Sequence, residues 1–72
     1  MNSLMLALQK KYEADIELAK ANIEVYLKNP VGIGDHPDLV AAVDCQVDKL
    51  CEASDKLNTL NEYYKDLFDK TF

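Results

Sequence analysis

Two glycines just before a predicted helix are the first candidates for chemistry. Gly32 and Gly34 lie in the stretch Asn29–Pro37. Glycine-rich loops that bind phosphate precede a helix in this way, but they follow a strand and carry a third glycine or a Lys-Ser/Thr pair. None of these accompanies Gly32 and Gly34. We therefore interpret them as residues that allow positive φ in a tight crossing between two helices.

The single histidine could bind a metal together with neighbouring carboxylates. His36 lies between Asp35 and Asp38 at a predicted helix start. Residues this close together at a helix N-terminus rarely converge on one ion, and aspartates there commonly cap the helix. We predict no metal and no other cofactor.

The two cysteines are Cys45 and Cys51, six residues apart in a segment with helical spacing. That separation places them about 9 Å apart along the axis and on different faces. They cannot form a disulfide within one helix, and they lack a CxxC spacing. We expect free thiols, which fit a reducing compartment.

Carboxylates are numerous, yet their arrangement does not favour catalysis. General acid–base chemistry needs two carboxyl groups in different environments of a concave site. The acidic residues here follow one convex helix face, and the only histidine lies in a loop. We therefore predict that the protein is not an enzyme.

The charge balance limits the partners. Thirteen acidic residues and eight lysines give a formal charge of −5. Phosphate neutralisation needs a basic surface, so this composition argues against a standalone nucleic-acid binder and against acidic membranes. The apolar stretch Leu4–Leu8 is too short for a signal peptide core or a membrane span. We expect a cytoplasmic protein.

All glycines and prolines lie in one stretch, so the chain should be a single domain, residues 1–72, with one break. Helix-forming composition on both sides predicts an all-α fold: a helix over about 3–28, a loop over 29–37 and a helix over about 38–69. Asn2 or Ser3 should cap the first helix, and Asp35 the second, with Asp38 completing a capping box. Two long helices and a short loop favour an antiparallel, coiled-coil-like hairpin.

The first helix has two apolar faces. One should pack on the second helix: Met5, Leu8, Tyr12, Ile16, Ala19, Ile23, Tyr26 and Leu27. The other lies nearly opposite, with coiled-coil spacing and small residues that allow close approach: Ala7, Ala14, Leu18, Ala21 and Val25. One hairpin partner cannot cover both faces, and a chain of 72 residues has little stability to spare. We therefore predict a homo-oligomer that uses the second face as its interface.

The second helix has one broad apolar face and one acidic face. Its apolar residues are Leu39, Val43, Val47, Leu50, Ala53, Leu57, Leu60, Tyr64, Leu67 and Phe68. A ridge of acidic residues lies opposite and is predicted to face a partner: Asp44, Asp48, Glu52, Asp55, Glu62, Asp66 and Asp69. Ser54 and Asn61 lie at the edge of the apolar face. We interpret them as boundary residues, with a role in fixing helix register as the alternative.

The stretch Ala19–Pro30, the short loop, His36–Val40 and the long helix from Val43 to Leu60 resemble the central helical hairpin of the small terminase subunit. That subunit is the DNA-packaging protein of contractile-tailed phages, especially phages of marine cyanobacteria. The resemblance covers most of the chain and implies hairpins side by side in a closed ring, without a catalytic centre, that regulate a large terminase subunit in an infected host cell.

The resemblance leads to a non-catalytic DNA-packaging regulator as the predicted function. Direct contact with DNA is not expected, because the acidic ridge repels a duplex; Lys10, Lys11, Lys20 and Lys28 offer only modest basic character. Two alternatives stay open. One is a small acidic adaptor or structural protein that forms a four-helix dimer, and the other is an acidic DNA mimic that inhibits a nucleic-acid-binding protein.

Overall fold

A computed structural model describes residues 2–28 and 38–69, with only the backbone of residues 68 and 69. It contains α1 (Ser3–Lys28), α2 (Leu39–Tyr63) and α3 (Asp66–Asp69). The helices α1 and α2 pack along their length in an antiparallel hairpin of 51 × 16 × 15 Å. The predicted all-α hairpin is confirmed. The predicted loop, with its glycines and His36, lies outside the described residues.

The start of α1 is capped by Asn2, one of the two predicted residues. Its side-chain Oδ1 accepts a hydrogen bond from the backbone N–H of Met5 at 3.1 Å. Its backbone carbonyl accepts from the N–H of Leu6 at 3.0 Å. The second bond is the first regular bond of the helix, so the side chain of Asn2 satisfies one of the N–H groups that a helix start leaves unpaired.

The start of α2 differs from the prediction. Asp38, not Asp35, is the N-cap: its φ of −123° and ψ of 90° are extended, and its Oδ1 accepts from the Ala41 N–H at 2.9 Å. A cap at Asp35 would make His36 the first helical residue, and a residue that precedes proline avoids helical angles. The helix therefore begins after Pro37. Asp35 itself lies outside the described residues.

The end of α2 also differs from the prediction of a continuous helix to about residue 69. Helix α2 ends at Tyr63, the backbone leaves helical geometry at Tyr64, and α3 begins at Asp66. The bend places the carbonyl of Leu67 where it accepts a hydrogen bond from the Asn2 N–H at 3.2 Å. This hydrogen bond links the start of α1 to α3 at the open end of the hairpin. The chain has no glycine or proline there, so its pattern gave no sign of the bend.

The interior is small. Only Ala19, Ala53 and Leu60 are buried hydrophobic residues in the described part of the chain, and no large side chain there is fully buried. Most of the predicted contact face of α1 is half-buried, but Leu27 is an exception at 70% exposed. Val47 on α2 and Tyr64, just after its end, are likewise exposed. Two helices alone cannot enclose these side chains, because each apolar face is wider than the line along which the helices touch.

Candidate interaction surfaces

A pair of amides crosses the contact between the helices. The Asn22 side-chain Nδ2 donates a hydrogen bond to Gln46 Oε1 at 3.2 Å. Gln46 is only 8% exposed, and it is the one buried polar residue of the described chain. No buried side-chain nitrogen or oxygen there lacks a partner. The pair joins residues 24 positions apart and so opposes any slip of one helix along the other.

Sequence reasoning missed this pair. Ser54 and Asn61 were the polar residues predicted at the edge of the apolar face. In the structure Asn61 is exposed and Ser54 is only half-buried. Neither has a side-chain hydrogen bond within the described residues. Gln46 sits at the same heptad position as Ala53, seven residues later, and this spacing is the signal that could have found it.

The predicted oligomer interface is exposed along its whole length. We call Ala7, Ala14, Leu18, Ala21 and Val25 the α1 stripe. Every member is exposed, with Leu18 at 62% and Val25 at 55%. Packing of α2 therefore leaves a row of apolar and small side chains uncovered on α1. Such a row on a rod this thin is a candidate surface for association.

A polar groove of about 240 Å³ runs beside the α1 stripe, on one side of the hairpin. Leu18 of the stripe lines it, together with Asn22, Gln46 and Lys49. Lys49 is exposed, and no carboxylate of the described chain lies within ion-pair distance of its ammonium group. The groove therefore has an uncompensated cation next to an exposed leucine.

Two other lysines that line this groove already form ion pairs. Lys11 pairs with Asp15 at 2.8 Å, and Lys56 pairs with Glu52 at 2.9 Å. Both ammonium groups also lie 5.7 Å from the centre of the Tyr12 ring, within cation–π range. The hydrogen bond from Lys56 lowers the pKa of the Glu52 carboxyl and raises the pKa of Lys56.

The lysines of α1 do not form a basic surface. Besides Lys11, Lys10 pairs with Glu13 at 3.3 Å, Lys20 with Glu17 at 3.3 Å, and Lys28 with Glu24. Each pair lies within one or two turns of a single helix, where such contacts are the common way to balance charge. All four lysines that the sequence offers for DNA are thus neutralised by neighbouring carboxylates.

The acidic ridge is exposed at every described side chain. These are Asp44, Asp48, Glu52, Asp55, Glu62 and Asp66. Only Glu52 has an ion pair in the described part of the chain. The side chain of Asp69, the last predicted member, lies outside that part. The ridge therefore keeps most of its negative charge free for a partner.

The cysteine and acidic side chains of the described residues are spread over the surface. The described residues contain no group of three or more His, Cys, Asp or Glu side chains that could hold a metal ion. Cys45 and Cys51 are free, as predicted, and both are exposed. None of the helices described is both long enough and apolar enough to cross a membrane.

These features define the class of fold as an all-α helical hairpin with an uncovered apolar stripe and an acidic ridge. Comparison of the chain with protein-family models, with curated proteins and with solved structures finds no significant match.

Proposed function

We propose that this protein is a non-catalytic subunit that acts as a homo-oligomer and regulates DNA packaging, as small terminase subunits do. The observation that carries self-association is the exposure of the α1 stripe after α2 has packed. The resemblance of residues 19–60 to the small terminase hairpin supplies the process in which such an oligomer would work.

The ion pairs of α1 indicate how the subunit would act. Lysines already paired with Glu or Asp gain little from a phosphate, because an existing partner must first be given up. The subunit would therefore work through proteins, with its charged outer surface against the large terminase subunit. A gel-shift experiment with duplex DNA should show no binding by the purified protein at physiological salt.

Native mass spectrometry of the purified chain over a range of salt tests the proposal. A closed assembly of many copies supports it, since a ring is what the terminase resemblance implies. Replacing Leu18→Glu and Val25→Glu together should dissociate this assembly, because both side chains would carry charge into the contact. A matched control is Ala41→Glu with Thr59→Glu, two exposed positions of α2 away from the stripe. Persistence of the assembly in the stripe variant would contradict the proposal.

The acidic ridge favours a second candidate, an adaptor that docks a basic partner through α2. The supporting observation is the row of exposed carboxylates without ion pairs, such as Asp44, Asp48 and Asp55. This candidate predicts a dimer in native mass spectrometry, with the ridge left open. A strict dimer at all salt concentrations would favour the adaptor over the packaging regulator.

A further inference from the structure

A second uncovered apolar surface lies on the side of the hairpin opposite the polar groove. It consists of two shallow depressions that share Leu27, at the end of the hairpin where α1 ends and α2 begins. We call them together the apolar depression. One is lined by Tyr26, Leu27, Leu39, Val40, Val43, Asp44 and Val47, and the other by Lys20, Ile23, Glu24, Leu27, Lys28 and Leu50.

The depression and the stripe lie on different flanks of α1. At about 100° per residue, Leu18 lies to one side of the buried Ala19, and Ile23 and Leu27 lie to the other. The depression is open: Leu27 is 70% exposed and Val40 is 80% exposed. Each hairpin thus carries two unlike apolar surfaces.

The chain exposes more surface than a compact monomer of its mass. It exposes 5361 Å², whereas a compact monomer of 8.1 kDa exposes about 4,500 Å² by the usual scaling with mass. The elongated hairpin therefore leaves surface in water that contacts between copies would cover.

Shape and charge indicate that unlike surfaces meet. The stripe carries small residues, such as Ala14 and Ala21, that allow close approach, and the part of the depression that lies along α2 is shallow and mostly apolar. Lys49 lies in the groove beside Leu18, and Asp44 lines the depression; neither has an ion pair in the described chain. Each surface is thus bordered by a charge opposite in sign to the charge that borders the other, so a contact between stripe and depression is electrostatically complementary.

We propose that the α1 stripe of one copy packs into the apolar depression of the next copy, with Lys49 of the first near Asp44 of the second. The contact is heterologous, so every copy offers one surface of each kind and the assembly grows by the same contact until it closes. This inference rests on the self-association in the proposed function and adds the identity of the two surfaces.

Complementation between two dissociated variants tests it. The stripe variant is Leu18→Glu with Val25→Glu, and the depression variant is Leu27→Glu with Val40→Glu. Each alone should be a monomer in native mass spectrometry. Mixed, they retain one intact contact, the stripe of the depression variant on the depression of the stripe variant. The mixture should therefore give a one-to-one heterodimer and no larger species.

Controls separate loss of folding from loss of contact. All four replaced side chains are more than half exposed, so both variants should keep the helical circular dichroism of the unmodified protein at equal concentration. The variant Ala41→Glu with Thr59→Glu adds the same charge at two exposed positions that belong neither to the stripe nor to the lining of the depression, and it should keep the full assembly.

Charge exchange at the rim provides an independent test that hardly disturbs packing. Lys49→Glu and Asp44→Lys should each weaken association by about two- to fivefold, the usual range for an exposed ion pair. The double variant Lys49→Glu with Asp44→Lys should recover association, because the pair is restored with reversed sign. Equal or greater loss in the double variant would overturn the predicted orientation.

The other outcomes are also decisive. If the depression variant alone remains a dimer, the stripe binds another stripe and the inference is wrong. If the unmodified protein assembles but the mixed variants give no heterodimer, the inference fails and the proposed function stands. A monomeric unmodified protein overturns both.

Discussion

Removing the Asn22 amide alone should destabilise the hairpin far more than removing both amides of the Asn22–Gln46 pair. In Asn22→Leu the Oε1 of Gln46 loses its hydrogen-bond donor, and Gln46 is only 8% exposed, so water reaches it poorly. An unsatisfied buried polar group costs about 1–3 kcal/mol. Since Asn22 is half-exposed, its amide can turn to water in Gln46→Leu, and that variant should lose less.

The double variant Asn22→Leu with Gln46→Leu leaves no polar atom unpaired. Its free energy of unfolding should return to within about 1 kcal/mol of the unmodified protein, because an apolar pair can replace a hydrogen-bonded pair at little cost. The two changes are therefore strongly non-additive, as expected for residues in direct contact.

Urea unfolding followed by circular dichroism measures these differences. With a slope near 1 kcal/mol per molar urea for a chain this small, Asn22→Leu should lower the midpoint by about 1–3 M. All variants must be compared at one chain concentration, because association adds to apparent stability. The control is Asn58→Leu, the same replacement at an exposed position of α2. If Asn22→Leu were as stable as Asn58→Leu, the amide pair would not stabilise the hairpin.

Three further predictions concern the helix start, the helix contact and pH. Asp38→Ala should cost about 1 kcal/mol in the same urea assay through loss of the cap, whereas Asp35→Ala should cost clearly less. Ala53→Leu should cost about 1–3 kcal/mol by overpacking the contact between α1 and α2, where Ala53 is only 4% exposed; an unchanged midpoint would mean that the helices can separate freely. Because the folded pKa of Glu52 is lowered below 4.5, its pairing with Lys56 stabilises fully above that pH and is lost as the pH falls through the folded pKa. The small difference in urea midpoint between the unmodified protein and Glu52→Gln should therefore be present at pH 7 and absent at pH 2, and a difference that persisted at pH 2 would refute the assignment.

Much of the fold could be predicted because its determinants are local. The bounds of α1 and the free cysteines follow from helix propensity, proline placement and spacing along one helix. The exposure of the α1 stripe also followed, since the two apolar faces of α1 point in nearly opposite directions and α2 can cover only one.

The remaining features depend on contacts between residues distant in the chain. In the sequence alone, Gln46 looks like an interruption of an apolar face. Only the packing of α1 on α2 places Asn22 at hydrogen-bond distance from it. The bend at Tyr64 likewise involves a residue distant in the chain. The N–H of Asn2, just before α1, donates to the carbonyl of Leu67, just after the bend. The apolar depression exists only because α1 and α2 lie side by side and both contribute to its walls. Sequence alone therefore determined the helices and their faces, because these depend on neighbours within a few turns. The tertiary structure decided the register, the closing bend and the second interaction surface, because each requires two segments to meet.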